Sequence, residues 1–184
     1  MTKKPFLAAA AAASLFALTA CGSDAGEGGE ADGGVGTSTL AALIEDADDL
    51  SVVSEIVSNA GLSGVFDGNA PYTVFAPTDE AFSALDVPLE GEETRAARVA
   101  ILREHIVPGY LSREDIVAAI ESAGGSVEMK TMGSNTLTFT RDADNLVVTS
   151  SDGSEASVEG EVMSGVNGSV IPIDGVLKSM ASPG

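Results

Sequence analysis

A change of hydrophobic period at Gly124-Gly125 constrains this chain more than any other feature. Before it, apolar residues mostly recur three and four apart, the spacing that gathers them on one face of a helix. After it they alternate with polar residues, as half-buried strands require. Five runs follow, "SVEMKTM", "TLTFTR", "LVVTS", "ASVEGEVM" and "SVIPIDGVL". Gly133-Ser134-Asn135, residues 142–145, Asp152-Gly153 and Asn167-Gly168 separate them as turns. Helices first and an antiparallel meander afterwards predict an α+β fold.

In the helical half, "STLAALIEDADDLSVVSEIVSNAGL" predicts one helix, or two broken near Asp48-Asp49. Leu40, Leu43 and Ile44 share one apolar face, and Val53, Ile56 and Val57 another. Gly61 and Gly64 are stop signals. "PYTVFAP" reads as a strand, "TDEAFSAL" as a short helix and "ETRAARVAILREHI" as a helix ending before "VPG". "SREDIVAAIESAGG" is helical, with Ser112 placed to cap it and Gly124 to terminate it.

The first twenty residues stand apart. Lys3 and Lys4 precede the uncharged run "PFLAAAAAASLFALTA", which is somewhat short for a membrane span of roughly 20 apolar residues. A basic start, a short apolar run and small residues before a cut describe a signal peptide. "Leu18-Thr19-Ala20-Cys21" resembles a bacterial lipobox, which implies acylation of Cys21 as the first mature residue. Cys21 is the sole cysteine, so no internal disulfide can form. Residues 22–36 hold seven glycines, four acids and one sizeable apolar side chain, Val35. Such a stretch buries too little surface to offset its ordering entropy and reads as a flexible tether. The expected organisation is a signal peptide over 1–20, a lipidated cysteine and tether over 21–36, and one domain over 37–184.

Charge narrows the function classes. The formal net charge is −19, and loss of Lys3 and Lys4 with the signal peptide takes it to −21. That field repels phosphate backbones, so nucleic acid is excluded as a partner. No tryptophan is present to stack on sugars, and no Gly-rich phosphate loop occurs.

Few residues offer chemistry. Thr78 follows Pro77 and is placed to cap a helix, which puts Asp79 and Glu80 in its first turn, where the macrodipole favours negative charge. A charged helix start is the reading these residues support, with partner contact and catalysis as alternatives. Adjacent helical positions point about 100° apart, whereas paired carboxylate catalysis needs convergence. His105, the only histidine, follows Ile101 and Leu102 on an apolar face and reads as a buried, hydrogen-bonded side chain. Residues 142–147 begin like a calcium loop but lack its fifth oxygen ligand and sixth-place glycine. Asn167-Gly168-Ser169 matches a glycosylation sequon but reads as a turn. No cofactor and no metal is expected.

Three stretches together resemble the fasciclin domain family: "TVFAPTDEAFSAL", "LREHIVPG" with His105 at the family's histidine, and "NGSVIPIDGVL" with Asp174 in register. The resemblance implies a β-wedge of antiparallel strands flanked by several α-helices, with Thr78, Asp79, His105 and Asp174 as family-motif residues. It also implies a non-enzymatic module associated with adhesion. Two positions depart from it. The family often has tyrosine where Glu104 stands and a second histidine where Ile171 stands, followed here by Pro172, which predicts a sheet edge or bulge. The expected function is a lipid-anchored envelope module, exported and held to the membrane through Cys21, that binds a protein or glycan partner. If the source is Gram-negative, Gly22 after the cysteine directs it to the outer membrane or periplasm. The alternative is a carrier of a small hydrophobic ligand.

Overall fold

The computed structural model describes residues 36–85 and 94–178. The signal peptide, Cys21 and the tether up to residue 35 lie outside the described residues, as do 86–93 and 179–184. All described residues belong to one unit, Gly33–Gly184.

The helical half opens with α1 (Leu40–Asp46) and α2 (Ser51–Ala60), so the predicted break near Asp48-Asp49 is real. Gly61 ends α2 in the left-handed conformation, φ 70°, and accepts the role glycine fills best at that place. Gly64 stops nothing; it lies inside a single turn, α3 (Ser63–Phe66). Next come β1 (Tyr72–Pro77), α4 (Asp79–Ser83), α5 (Arg95–Glu104), β2 (Ile106–Pro108) and α6 (Arg113–Ala123). Ser112 and Asp115 form a reciprocal capping box on α6, which Gly124 closes.

The strand half contains β3 (Ser126–Lys130), β4 (Thr136–Asp142), β5 (Asn145–Ser150), β6 (Glu155–Ser157), β7 (Met163–Gly165) and β8 (Gly168–Ile173). The run "ASVEGEVM" is two strands in two sheets, broken at Gly160, whose φ is 60°. The 142–147 segment is a two-residue hairpin with Asp142 opposite Asn145.

One sheet runs β2-β1-β8-β7 and the other β3-β4-β5-β6. Pairing is antiparallel throughout the second sheet, as the alternation predicts. In the first sheet β1 and β8 pair in parallel over six positions, from Tyr72–Gly168 to Pro77–Ile173. The expectation of antiparallel strands alone is corrected here. These two strands are buried on both faces, which is why their sequences are nearly continuous apolar runs instead of alternating ones.

Double burial divides the interior into two layers. Val74, Ala76 and Val170 face Leu40, Ile44, Val53, Ile56 and Leu102 of the helices. Phe75, Ile171 and Ile173 face Leu137, Phe139 and Val148 of the other sheet, with Phe75 and Phe139 rings 5.0 Å apart. Pro172 sits within this central strand, yet its missing N–H costs nothing. Thr78 donates to the Ile173 carbonyl on the β1 side, while the Pro172 carbonyl takes Glu159 N–H on the other side. The β7 ladder has already ended there, at Met163–Val170, and residues 157–159 border the strand instead through the Val158–Ile173 bridge, so the expected sheet edge is not found.

Asn167 locks the β7–β8 turn to the helices. Its Oδ1 accepts from Leu40 N–H (2.9 Å), and its Nδ2 donates to the carbonyls of Phe66 and Gly68. The side chain is 5% exposed, so the sequon match is a buried structural amide. Gly168 beside it leaves no room for a side chain, since a Cβ would lie 1.9 Å from the Tyr72 carbonyl oxygen. On the other flank of β7, Gly36 donates to Ser164 (3.0 Å) and Ser38 accepts from Val166 (2.9 Å). Gly36, the last residue of the stretch read as tether, is thus hydrogen-bonded to the domain. Replacing Asn167 by Ala strands three buried backbone groups and is expected to cost about 3 kcal/mol. Chemical denaturation of the variant against wild type measures it, and a loss below ~1 kcal/mol would contradict the assigned role.

Candidate functional site

Thr78 has extended backbone (φ −66°, ψ 162°) and its hydroxyl accepts from Ala81 N–H, which starts α4. Asp79 does more than begin that helix. Its carboxylate accepts from Ser51 Oγ (2.6 Å), Val52 N–H (2.9 Å) and Ser51 N–H (3.3 Å), all in the first turn of α2. The residue preceding α2 is Leu50, whose side chain cannot cap. Asp79 supplies the missing cap from 28 residues away, against the positive end of the α2 dipole. Burial would raise its pKa, but these hydrogen bonds outweigh that and lower it. Glu80 is exposed and points elsewhere, so the two acids do not form a pair.

His105 ends α5 and is 1% exposed. One ring nitrogen, Nδ1, lies 2.8 Å from the Ile101 carbonyl, and the other, Nε2, lies 2.8 Å from Leu177 N–H. A carbonyl can only accept and a backbone N–H can only donate. The ring is therefore the neutral tautomer with its proton on Nδ1. Burial pushes its pKa down to about 4, partly opposed by the Ile101 hydrogen bond and the negative field of Glu104. Both nitrogens are committed to backbone, leaving neither for a metal or a substrate proton.

Glu104 was missed as an organising residue. It is 4% exposed, and its carboxylate collects Thr131 Oγ1, the N–H groups of Ser134 and Asn135, and Ser134 Oγ, all within 3.1 Å. Lys178 Nζ lies 3.4 Å away. Burial raises its pKa, but the hydrogen bonds prevail and hold it at about 2. The carboxylate thus folds the 131–135 turn around itself. Gly133 is glycine for this reason: a Cβ there would fall 2.2 Å from Glu104 Oε2. The sequence carried a signal in the small, polar Gly133-Ser134-Asn135, but nothing that named its partner.

Asp174 closes the second sheet onto the first. Its Oδ1 accepts from Ser157 N–H (2.6 Å) and its own N–H donates to Ser157 O (3.1 Å). The four family-motif residues are spread over the domain, and each is engaged in an internal hydrogen bond. Among the described residues no three His, Cys, Asp or Glu side chains come together to hold a metal ion.

The family model for the fasciclin domain matches residues 48–179, and the chain belongs to that family. Among solved structures it is similar to a FAS1 domain pair from the insect cell adhesion molecule fasciclin I, with a TM-score of 0.65 and 18% identity. That match covers 77% of this chain and 51% of the insect chain, so this chain spans about half of its neighbour's length. At that identity the likeness concerns the fold. No curated protein matches the chain.

The two shifted groups beside each other give the domain an acid dependence with a defined sign. His105 has a folded pKa below its ordinary 6.5, so between pH 6.5 and about 4 the unfolded chain takes up a proton that the folded one refuses. Stability is complete above 6.5 and falls as pH drops toward 4, by on the order of 3 kcal/mol. Glu104 is depressed from 4.5 to about 2, so its share is lost below 4.5. Melting temperature measured against pH is expected to decline from pH 6.5 downward. In His105→Gln the curve is expected to start lower and run flat between pH 6.5 and 4.5; an unchanged slope would assign the upper window to another group. Asp79→Ala, which uncaps α2, is expected to cost about 1–2 kcal/mol in chemical denaturation.

Proposed function

We propose that this chain is a lipid-anchored module of the bacterial cell envelope that binds a protein or glycan partner and performs no catalysis. The observation that carries this reading is the fate of the motif residues. Asp79, Glu104, His105 and Asp174 spend their polar atoms on backbone and on one another's neighbourhoods, so the scaffold consumes the groups that chemistry would need. What faces a partner is the surface of a rigid domain. The fasciclin family and the insect adhesion molecule that shares the fold support a role in contact. The lipobox at Cys21 and the glycine-rich stretch after it support presentation on a tether, exported and held at the membrane. If the source is Gram-negative, the outer membrane or periplasm is its place.

Acylation would suffice as an anchor, because each buried methylene adds about 0.8 kcal/mol and two or more chains hold stably. Growth with a clickable fatty acid is expected to label the wild-type chain and to leave Cys21→Ser unlabelled and released from the membrane fraction. Label retained by Cys21→Ser would sink the anchor. Attachment of a deletion strain to surfaces or neighbouring cells tests the contact role; unchanged attachment, with nothing captured by crosslinking in living cells, would refute it.

A further inference from the structure

The charges of this domain are segregated along the chain. Residues 36–85 carry eight carboxylates and no lysine, arginine or histidine, and every basic residue of the described domain lies at position 95 or beyond. The helices α1, α2 and α3 come from the first stretch. Glu45, Asp46, Asp48, Asp49 and Asp67 are all exposed there. Within that acidic face lies a groove of about 150 Å³ between the three helices. Ala41, Ala42, Ile44 and Val57 line it together with Ser54, Ser58 and Ser63, and Glu45 and Asp67 border it. Thr39 Oγ1 holds the Asp67 carboxylate by a 2.8 Å hydrogen bond.

We propose that the α1–α2–α3 groove is a docking site for a lysine or arginine side chain presented by a basic protein partner. The inference rests on the reading of this chain as an interaction module and names the chemistry of its partner. Two independent features of the groove match one side-chain type. A groove of about 150 Å³ has room for an aliphatic stem against its four apolar residues, with serine hydroxyls and carboxylates at hand for the head. Lysine and arginine bury such a stem against apolar surface while keeping the charged head at a polar rim. The head would meet two carboxylates, while Arg95 and Arg98, the cations that reach α2, are engaged with Asn59 and Glu55.

The chain itself does not supply that occupant. Outside the described residues the basic side chains are Lys3 and Lys4 alone, and the signal-peptide reading removes both from the mature chain. A second copy is also a poor candidate. Arg95, Arg98, Arg103, Arg113, Arg141 and Lys178 already bond to groups of their own domain, which leaves the exposed Lys130 as the one described basic side chain a copy could offer. Two copies at a net charge of −19 each repel. A foreign, basic protein is the occupant that charge complementarity selects, and the same field would steer it in.

The test uses the purified whole chain and a fluorescent hexalysine peptide, read by anisotropy, with amide shifts mapped by NMR. Wild type is expected to bind with shifts confined to residues 41–45, 54–58 and 63–67. Glu45→Gln combined with Asp67→Asn is expected to weaken binding roughly tenfold, and Ala42→Phe, which fills the groove without changing charge, by a similar factor. Glu128→Gln combined with Glu159→Gln removes the same charge elsewhere and is expected to change affinity less than about twofold. Equal losses in the two charge pairs, or shifts spread over the surface, would mean a diffuse field only and overturn the site. Shifts at the groove with a neutral oligosaccharide but not with hexalysine would overturn the partner class. Live-cell crosslinking separates the two proposals. Partners captured equally by the Glu45/Asp67 variant refute the groove and leave the module standing; no capture by wild type, with hexalysine still bound in the groove, refutes the module alone.

Discussion

His105 accepts one backbone N–H through its carbonyl and another through its ring. Phe75 in β1 donates to the carbonyl at 2.9 Å, and Leu177, just past β8, donates to Nε2 at 2.8 Å. The remaining ring nitrogen returns to Ile101 in α5. One residue therefore joins the first strand, the last helix turn before β2 and the end of the chain's closing segment. The parallel pairing of β1 with β8 brings Phe75 and Leu177 near enough for this. The imidazole then fixes both relative to α5. A buried ring can do so only when neutral, because only the neutral form has one donor and one acceptor to match a carbonyl and an N–H. Burial lowers the pKa of His105 and so keeps the ring in the neutral form that this task needs.

Glu104, one residue earlier, shows how a charge is tolerated in the same place. A buried carboxylate is costly unless its lone pairs are filled. Here the 131–135 turn fills them with backbone and hydroxyl donors, and Lys178 adds a cation from the closing segment. The neighbouring turn is built around this acid, with Gly133 as the steric condition. The polar atoms of this block face inward, so the block contributes rigidity and leaves contact to other surfaces.

Local structure was readable where local rules decide it. The Ser112 and Thr78 caps, the Gly61 and Gly124 stops and the alternating strands β4 and β5 follow from periods and capping chemistry that act over a few residues. What escaped depended on distant partners. β1 and β8 lie on both sides of ninety intervening residues, and their parallel pairing is signalled only by unbroken apolar runs. Asp79 looked like a local helix start because nothing in its own neighbourhood reveals an uncapped α2. Glu104 looked like an ordinary acidic position on α5 because the four groups that donate to it from the adjoining turn arrive from residues 131 to 135. β2 was hidden by its length, three residues that exist as a strand because β1 lies beside them.

The same separation explains why the family is plain while the partner is not. The motif residues are those whose loss would disconnect elements far apart in sequence, so they record the fold. Recognition depends instead on surface charge and shape, where a substitution leaves the hydrogen-bond network intact and is free to vary between relatives. In this chain that surface is polarised: the helices built from residues 36–85 are purely acidic, and the arginines of the later segments are turned to internal bonds. Such an arrangement does not stabilise the domain, since like charges on α1 and its loop to α2 repel. Apart from Glu55, which Arg98 pairs, the field of these helices is of one sign, and it falls off over a Debye length of about 8 Å at physiological ionic strength. The energetic logic of the interior and that of the acidic helical face are therefore separate.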